Sequence, residues 1–388
     1  MSNIQESFNN NGIPQNEEED QIHRRAVTEY RRRNWPNACI LFLRLLQINH
    51  NNTNYQHNLA MVLYYGFEND EASEKYFRQS LRSCGSSHPD IIRHYCVLLI
   101  KQKRWEEAHA YYDILFRVIE QYNNARNQQI KDENNRWDKA VEQQFIKYKK
   151  QYKINNKIDE ENLLNKIKEQ IPKRTINENP SMKIIVDDHS SYALICQEGF
   201  RQYDVAKEHL KKAIKIKPND GTLISKYAIV LQNENNYKES SKYFKNAIDK
   251  IPNNVDVRYQ YASLLWWMQK YKESCHELSC CLKIIKDLNK NSKLKEKKRK
   301  KNLENEEKCS ILYGIILIEL QRYNDAQIHI KRSIEISEDI NGKVDSRYIA
   351  EYMLLLIKEQ KYNEAFECYE LALQTLKNKN DWYLKCIY

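Results

Sequence analysis

YDVAKEHLKKAIKIKP (203–218) returns in altered letters as YKESSKYFKNAIDKIP (237–252) and YKESCHELSCCLKIIK (271–286). The opening tyrosines, Tyr203, Tyr237 and Tyr271, are 34 residues apart. A small residue follows at offset three (Ala206, Ser240, Ser274), a bulky one at seven (Leu210, Phe244, Leu278) and a small one at ten (Ala213, Ala247, Cys281). Pro218 and Pro252 close the first two copies, and Lys286 stands where a third proline would fall. Offsets of three, four and seven share one face of a helix. Small residues on that face let a neighbouring helix approach, and the bulky one fills the space left. Proline stops the helix. The aromatic belongs at a turn between two helices.

The template extends outward. Trp35 leads to Ala38 and Phe42; Trp105 to Ala108, Tyr112 and Leu115; Tyr323 to Ala326, Ile330 and Ser333; Tyr362 to Ala365, Tyr369 and Ala372. A weaker copy has Ser73, Phe77 and Ser80, with Asp70 in place of the aromatic. The steps from Tyr271 to Tyr323 and from Trp105 to Tyr203 exceed the period by 18 and 64 residues, as insertions would. This pattern resembles the tetratricopeptide repeat (TPR) family of helix–turn–helix units. The units fall at about 19–52, 54–87, 89–122, 187–220, 221–254, 255–288, 307–340 and 346–379. The first helix of the fourth copy aligns poorly between Tyr192 and Gln202, and only two copies carry the closing proline. The resemblance implies an all-α, right-handed superhelical solenoid of about eight units. Each unit contacts its neighbours, and the first helices line a concave surface that holds a partner segment.

Composition narrows the function. Hydrophobic residues make up 41%, enough for a core. There are 7 glycines, and the closest two, Gly66 and Gly85, are 19 residues apart. Glycine-rich phosphate loops and the nucleophile elbow need glycines within a few positions, so none exists here. With most of the chain consumed by repeat packing, no enzyme and no cofactor are expected. The 10 cysteines form no C-x-x-C. In the run Cys275-His276-Glu277-Leu278-Ser279-Cys280-Cys281, Cys281 takes a packing position, and no second ligand pair with zinc spacing follows, so no metal is expected. Residues Met1 to Gln21 lack an apolar export core. The longest apolar runs, Ala38–Ile48 and Tyr352–Ile357, are too short to span a bilayer. The expected compartment is cytoplasmic, with nuclear or ciliary placement as variants, and not secreted.

Outside the units, 1–18 reads as a disordered, Asn- and Glu-rich tail, and 380–388 as a C-terminal tail. The insertion 123–186 carries two amphipathic stripes: Trp137, Val141, Phe145, Tyr148 and Tyr152, then Leu163, Leu164, Ile167 and Ile171. Two extra helices are expected, either covering the array or forming a partner-binding arm. The insertion 289–306 holds Lys295, Lys297, Lys298, Arg299, Lys300 and Lys301 and reads as a solvated, mobile linker.

The resemblance also implies which positions face the groove. In the sixth unit these include Tyr259, Trp266 and Trp267. Elsewhere they are Tyr30, Arg31, Tyr65, Ile229, Ile315, Ile318, Leu354 and Ile357. Trp and Tyr are enriched at binding hot spots, so the aromatic trio is the leading peptide-binding candidate. The rival is that these rings pack under an insertion or against the next unit, and the apolar last units could instead be closed by the tail around Trp382. The carboxylate clamp of chaperone-binding TPR domains has no counterpart: its positions carry His23, Val27, Asn58, Asp90 and His94, or Ser191, Ile195, Lys226, Asp256 and Gln260. The expected function is a non-enzymatic scaffold that binds a peptide or helix of a protein partner, inside a ciliary or cell-cycle type of assembly. The alternative is a helical-repeat nucleic-acid binder using the net charge of +10 and the 295–301 run. The one-base-per-repeat code that such readers need is missing at Thr222, Tyr259 and Ile311.

Overall fold

The structure is a computed structural model that describes residues 15–85, 88–152, 157–173, 183–290, 296–342 and 344–375. Every element among them is a helix. The chain divides into two compact units, residues 1–201 and 202–388. The first unit holds α1 (Gln15–Arg31), α2 (Trp35–Ile48), α3 (Thr53–Phe67), α4 (Asp70–Ser83), α5 (Pro89–Lys101), α6 (Trp105–Tyr152), α7 (Lys157–Gln170) and α8 (Val186–Phe200). The second holds α9 (Tyr203–Ile216), α10 (Gly221–Asn233), α11 (Tyr237–Lys250), α12 (Val255–Trp267), α13 (Tyr271–Asn289), α14 (Glu296–Glu319), α15 (Tyr323–Asn341), α16 (Ser346–Lys358) and α17 (Tyr362–Thr375). The boundary at Arg201 falls inside the repeat expected at 187–220.

Each template aromatic is the first residue of a helix: Trp35, Trp105, Tyr203, Tyr237, Tyr271, Tyr323 and Tyr362. The offset residues behind them are buried, from Ala38 and Phe42 to Ala326 and Ile330. Burying a Phe such as Phe244 or a Leu such as Leu278 is worth about 1.5–3 kcal/mol each. The small position has a second use where it is serine. Ser73, Ser240 and Ser274 donate to the carbonyls of Ala60, Ala228 and Ala262 at 2.9, 2.7 and 2.7 Å. The hydroxyl therefore enters the helix contact with its hydrogen bond satisfied.

Side chains start many of the first helices. Asn52, Asp220, Asn254 and Asp345 each cap the amides of the turn they precede. The second helices α9 and α11 end ahead of Pro218 and Pro252. Within each unit consecutive helices pack in order, except that α8 packs on α6 and not on α7, and the first helices also touch one another: α3 with α5, α5 with α8, then α10 with α12, α12 with α14 and α14 with α16.

Between the two helices of each pair lies one non-glycine residue at positive φ: Arg33, Glu68, Lys103, Arg201, Asn235, Gln269, Gln321 and Gln360, all between 51° and 63°. Each sits two positions before the next helix. In six of these turns the following amide donates to the carbonyl five residues back, as Asn34 to Glu29 (2.9 Å) and Lys270 to Leu265 (2.8 Å). One turn geometry thus recurs along the chain.

Three expectations need correction. The sequence extends the N-terminal tail to residue 18, yet α1 begins at Gln15; residues 1–14 lie outside the described residues. The insertion 123–186 does not begin with a separate helix. No Gly or Pro interrupts 105–171, so α6 runs on for 48 residues, about 70 Å. Its distal half packs against α7: Val141 and Ile167 are buried, Trp137 Nε1 donates to the Ile171 carbonyl (2.9 Å), and Lys149 pairs with Glu160 (2.6 Å). The basic run is not a mobile linker over its described part. Lys297 to Lys301 form the first turns of α14, because Lys, Arg and Glu are strong helix formers and the helix continues into the buried segment from Cys309 to Ile318. Lys295 and the tail around Trp382 (380–388) lie outside the described residues.

Candidate functional site

The aromatic trio of α12 separates on folding. Trp267 is 64% exposed. Its neighbour Trp266 is half-buried and packs on the core formed by α12 to α16, as does Tyr259. The two indoles meet at 5.4 Å between centroids, tilted by 55°. Burial, with Cys309 of α14 beside it, pushes the Tyr259 hydroxyl above the usual phenol range. Tyr259 and Trp266 therefore serve packing against the next helix pair, and Trp267 alone presents an open ring. Adjacent residues on a helix point about 100° apart, which explains the split.

The other candidates of the second unit follow the same first helices. Ile229, Ile315, Leu354 and Ile357 are half-buried, each with part of its side chain accessible. Ile318 is 5% exposed and belongs to the core beside Leu317 and Leu355, so it is unavailable to a partner. Its helix, α14, packs on α12, α13, α15 and α16, which closes off more of its circumference than the sequence register implied. Lys298, Arg299 and Lys300 are exposed on α14, and Lys301 reaches Asp256 of α12 at 3.3 Å.

In the first unit, Tyr30 is half-buried, meets Trp35 edge-on at 5.5 Å and lies near Tyr65. Burial, then Tyr65, raises the Tyr30 hydroxyl above its ordinary value. Tyr65 is half exposed and stands edge-on to Tyr64 at 4.8 Å; Arg31 is exposed. The two units thus offer separate sets of candidates.

Among the described residues no group of three or more His, Cys, Asp or Glu side chains is placed to hold a metal ion. Cys275 and Cys281 are buried; Cys280 lies 3.9 Å from His276 Nε2 on the same helix. Tyr192, His109 and Asp113 form a hydrogen-bonded trio, at 2.9 Å (Tyr192 to His109) and 3.2 Å (Tyr192 to Asp113), which the sequence did not reveal. Phe116 and Phe200 pack around these rings, so the trio fastens α8 to α6. Among the described residues no helix is long and apolar enough to cross a membrane.

Residues 196–220, the stretch from the end of α8 through α9, match the family model described as tetratricopeptide repeat. That stretch is a tetratricopeptide repeat. Solved helical-repeat structures of low identity resemble the chain. A tetratricopeptide repeat protein from Parabacteroides merdae is 12% identical over 82% of this chain and 93% of its own, with a TM-score of 0.50. The C-terminal part of a TPR repeat-containing protein from Cytophaga hutchinsonii is 9% identical, covering 84% and 98%, with a TM-score of 0.46. PilF of Pseudomonas aeruginosa is 15% identical, covering 72% and 95%, with a TM-score of 0.45. No curated protein matches the chain by sequence.

Proposed function

We propose that this TPR chain is a non-enzymatic scaffold whose second unit binds an apolar segment of a partner protein along its first helices. The observation that carries the reading is Trp267, a large ring left 64% exposed while its neighbour Trp266 packs on the core. An open indole on the same series of first helices as the half-buried Ile229, Ile315, Leu354 and Ile357 has the make-up of a hot spot. Ciliary or cell-cycle assembly belongs to the same proposal and is decided by the partner's identity. The basic run on α14 supports a nucleic-acid reading less: its described cations are followed by Glu304, Glu306 and Glu307 on the same helix.

The test is nuclease-treated affinity purification comparing wild type with Trp267→Ala. Trp266 stays intact, because its loss would disturb the core. Proteins that survive nuclease and disappear with Trp267→Ala, at an unchanged melting temperature, support the reading. Proteins retained by the variant overturn it, and associations that vanish with nuclease transfer the function to nucleic acid.

A further inference from the structure

The eight positive-φ turn residues share one backbone requirement, which glycine meets at least cost. None is glycine. The second unit places a neutral amide at all four of its turns: Asn235, Gln269, Gln321 and Gln360. In the first unit three of four are cations, Arg33, Lys103 and Arg201, and the fourth is Glu68. The turn works equally well with glutamine, so its geometry does not call for the charge.

The first-unit turns are linked in sequence along one edge. Trp35, opening α2, packs against Gly66 at the end of α3. Lys101, ending α5, reaches Asp70 at 2.7 Å and stands 5.2 Å over the Tyr64 ring. Trp105, opening α6, packs against Gly199 at the end of α8. Arg33, Lys103 and Arg201 are exposed, and no ion pair is found for them among the described residues. Arg104 differs: Glu74 and Glu107 hold it at 2.7 and 2.6 Å. Exposed aromatic rings end the helices that lead into these turns, Tyr65 at 49% and Phe67 at 47% on α3 and Phe200 at 37% on α8. A cleft of about 420 Å³ opens between Lys103, Trp105, Gly199 and Phe200.

We propose that this edge of the first unit binds an acidic segment of a partner protein. Its carboxylates meet Arg33, Lys103 and Arg201, and its apolar side chains rest on Tyr65, Phe67 and Phe200. Charge complementarity selects an acidic occupant. Glu68 and Glu106 lie on the same edge. They would oppose the phosphate carried by every nucleotide, whereas a protein segment can place acids only where cations wait. The site is separate from Trp267.

The probe is a fluorescein-labelled peptide of glutamates interrupted by phenylalanines, titrated with the full chain at low salt and read by anisotropy. Arg33→Gln/Lys103→Gln/Arg201→Gln copies the residue type that the second unit already carries in this turn, so the fold is retained, as a matching melting curve will verify. The expected loss of affinity is about tenfold. Lys298→Gln/Arg299→Gln/Lys300→Gln removes the same charge from α14 and should change affinity by less than about twofold. An equal loss in both triple variants reduces the effect to net charge and overturns the proposal. So does peptide binding that survives the turn variant but is lost in Trp267→Ala, or tighter binding of a single-stranded oligonucleotide of equal charge with the same dependence on the turn cations.

Discussion

Arg93 of α5 grips Asp188 of α8 across 95 residues of sequence. Arg93 Nε lies 3.0 and 3.2 Å from the two carboxylate oxygens, and Nη2 lies 3.1 Å from Oδ2. Asp90 and the Lys183 carbonyl take the remaining guanidinium donors at 2.8 and 2.6 Å, while Asp188 also accepts the Ile185 amide at 2.9 Å. Both side chains are buried. The pair docks α8 on α5 even though the long α6 extension and α7 intervene in the chain.

Removing Arg93 leaves Asp188 buried without its counter-ion, whereas removing Asp188 leaves Arg93 still paired with Asp90. Arg93→Ala should cost about 3–5 kcal/mol in urea unfolding followed by circular dichroism, and Asp188→Ala about 2–4 kcal/mol. The double replacement Arg93→Met/Asp188→Leu should cost much less than the two single losses combined, because it removes both charges; the orphaned Ile185 amide retains a penalty of about 1–3 kcal/mol. Single variants within about 1 kcal/mol of wild type would show that the pair is not holding α8 in place.

Two glycines answer two tryptophans. A Cβ on Gly66 would lie 2.5 Å from Trp35 Cγ, and one on Gly199 would lie 2.6 Å from Trp105 Cβ. Both contacts are with large rings near their backbone attachment, so relief needs a helix shift. Gly66→Ala and Gly199→Ala should each destabilise by about 1–3 kcal/mol, despite alanine's better helix propensity. Trp35→Leu should recover much of the Gly66→Ala loss, read as midpoint denaturant concentration. A stabilised Gly66→Ala protein would refute the close approach.

What the sequence disclosed was the part governed by period. Tyr203, Tyr237 and Tyr271 with their small and bulky followers are local, repeated and chemically unambiguous, so the presence and buried face of the second helices were legible. The recurrent turn was hidden, because Arg33, Lys103 and Gln269 occupy a backbone conformation usually signalled by Gly or Asn. The continuity of α6 had one sign, the lack of any Gly or Pro between Trp105 and Ile171, which the strong stripe at Trp137 and Val141 obscured. Arg93 with Asp188, and the division between Trp266 and Trp267, depend on which helix stands opposite, and no local pattern carries that.

Trp266 and Trp267 should therefore separate stability from binding. Trp266 packs on the core of the second unit, and Trp266→Ala should lower stability by about 2 kcal/mol, below the cost of a fully buried indole because the ring is half-buried. Trp267→Ala should stay within about 0.5 kcal/mol of wild type. Thermal melts of the two single variants decide this, and equal losses would mean that Trp267 is covered in solution.

The stability of the first unit should depend on a histidine pair. His57 Nε2 and His94 Nδ1 are 2.9 Å apart, with ring centroids at 5.0 Å. Burial, reinforced by His94 and His88 and opposed by Asp90, lowers the His57 pKa to about 3. Burial, opposed by Asp90, also lowers that of His94. Above the ordinary histidine value of 6.5 both rings are neutral, folded or unfolded, and the contribution is fully present. As pH falls through 6.5 toward about 3, the unfolded chain takes up protons that the folded pair refuses, so stability declines across that window. Each histidine adds at most about 1.4 kcal/mol per pH unit to the slope. His57→Gln/His94→Gln should flatten the dependence of the urea midpoint on pH between 6 and 4, while the carboxylates contribute alike to both proteins. Parallel slopes for wild type and variant would remove the pair from the account of acid sensitivity.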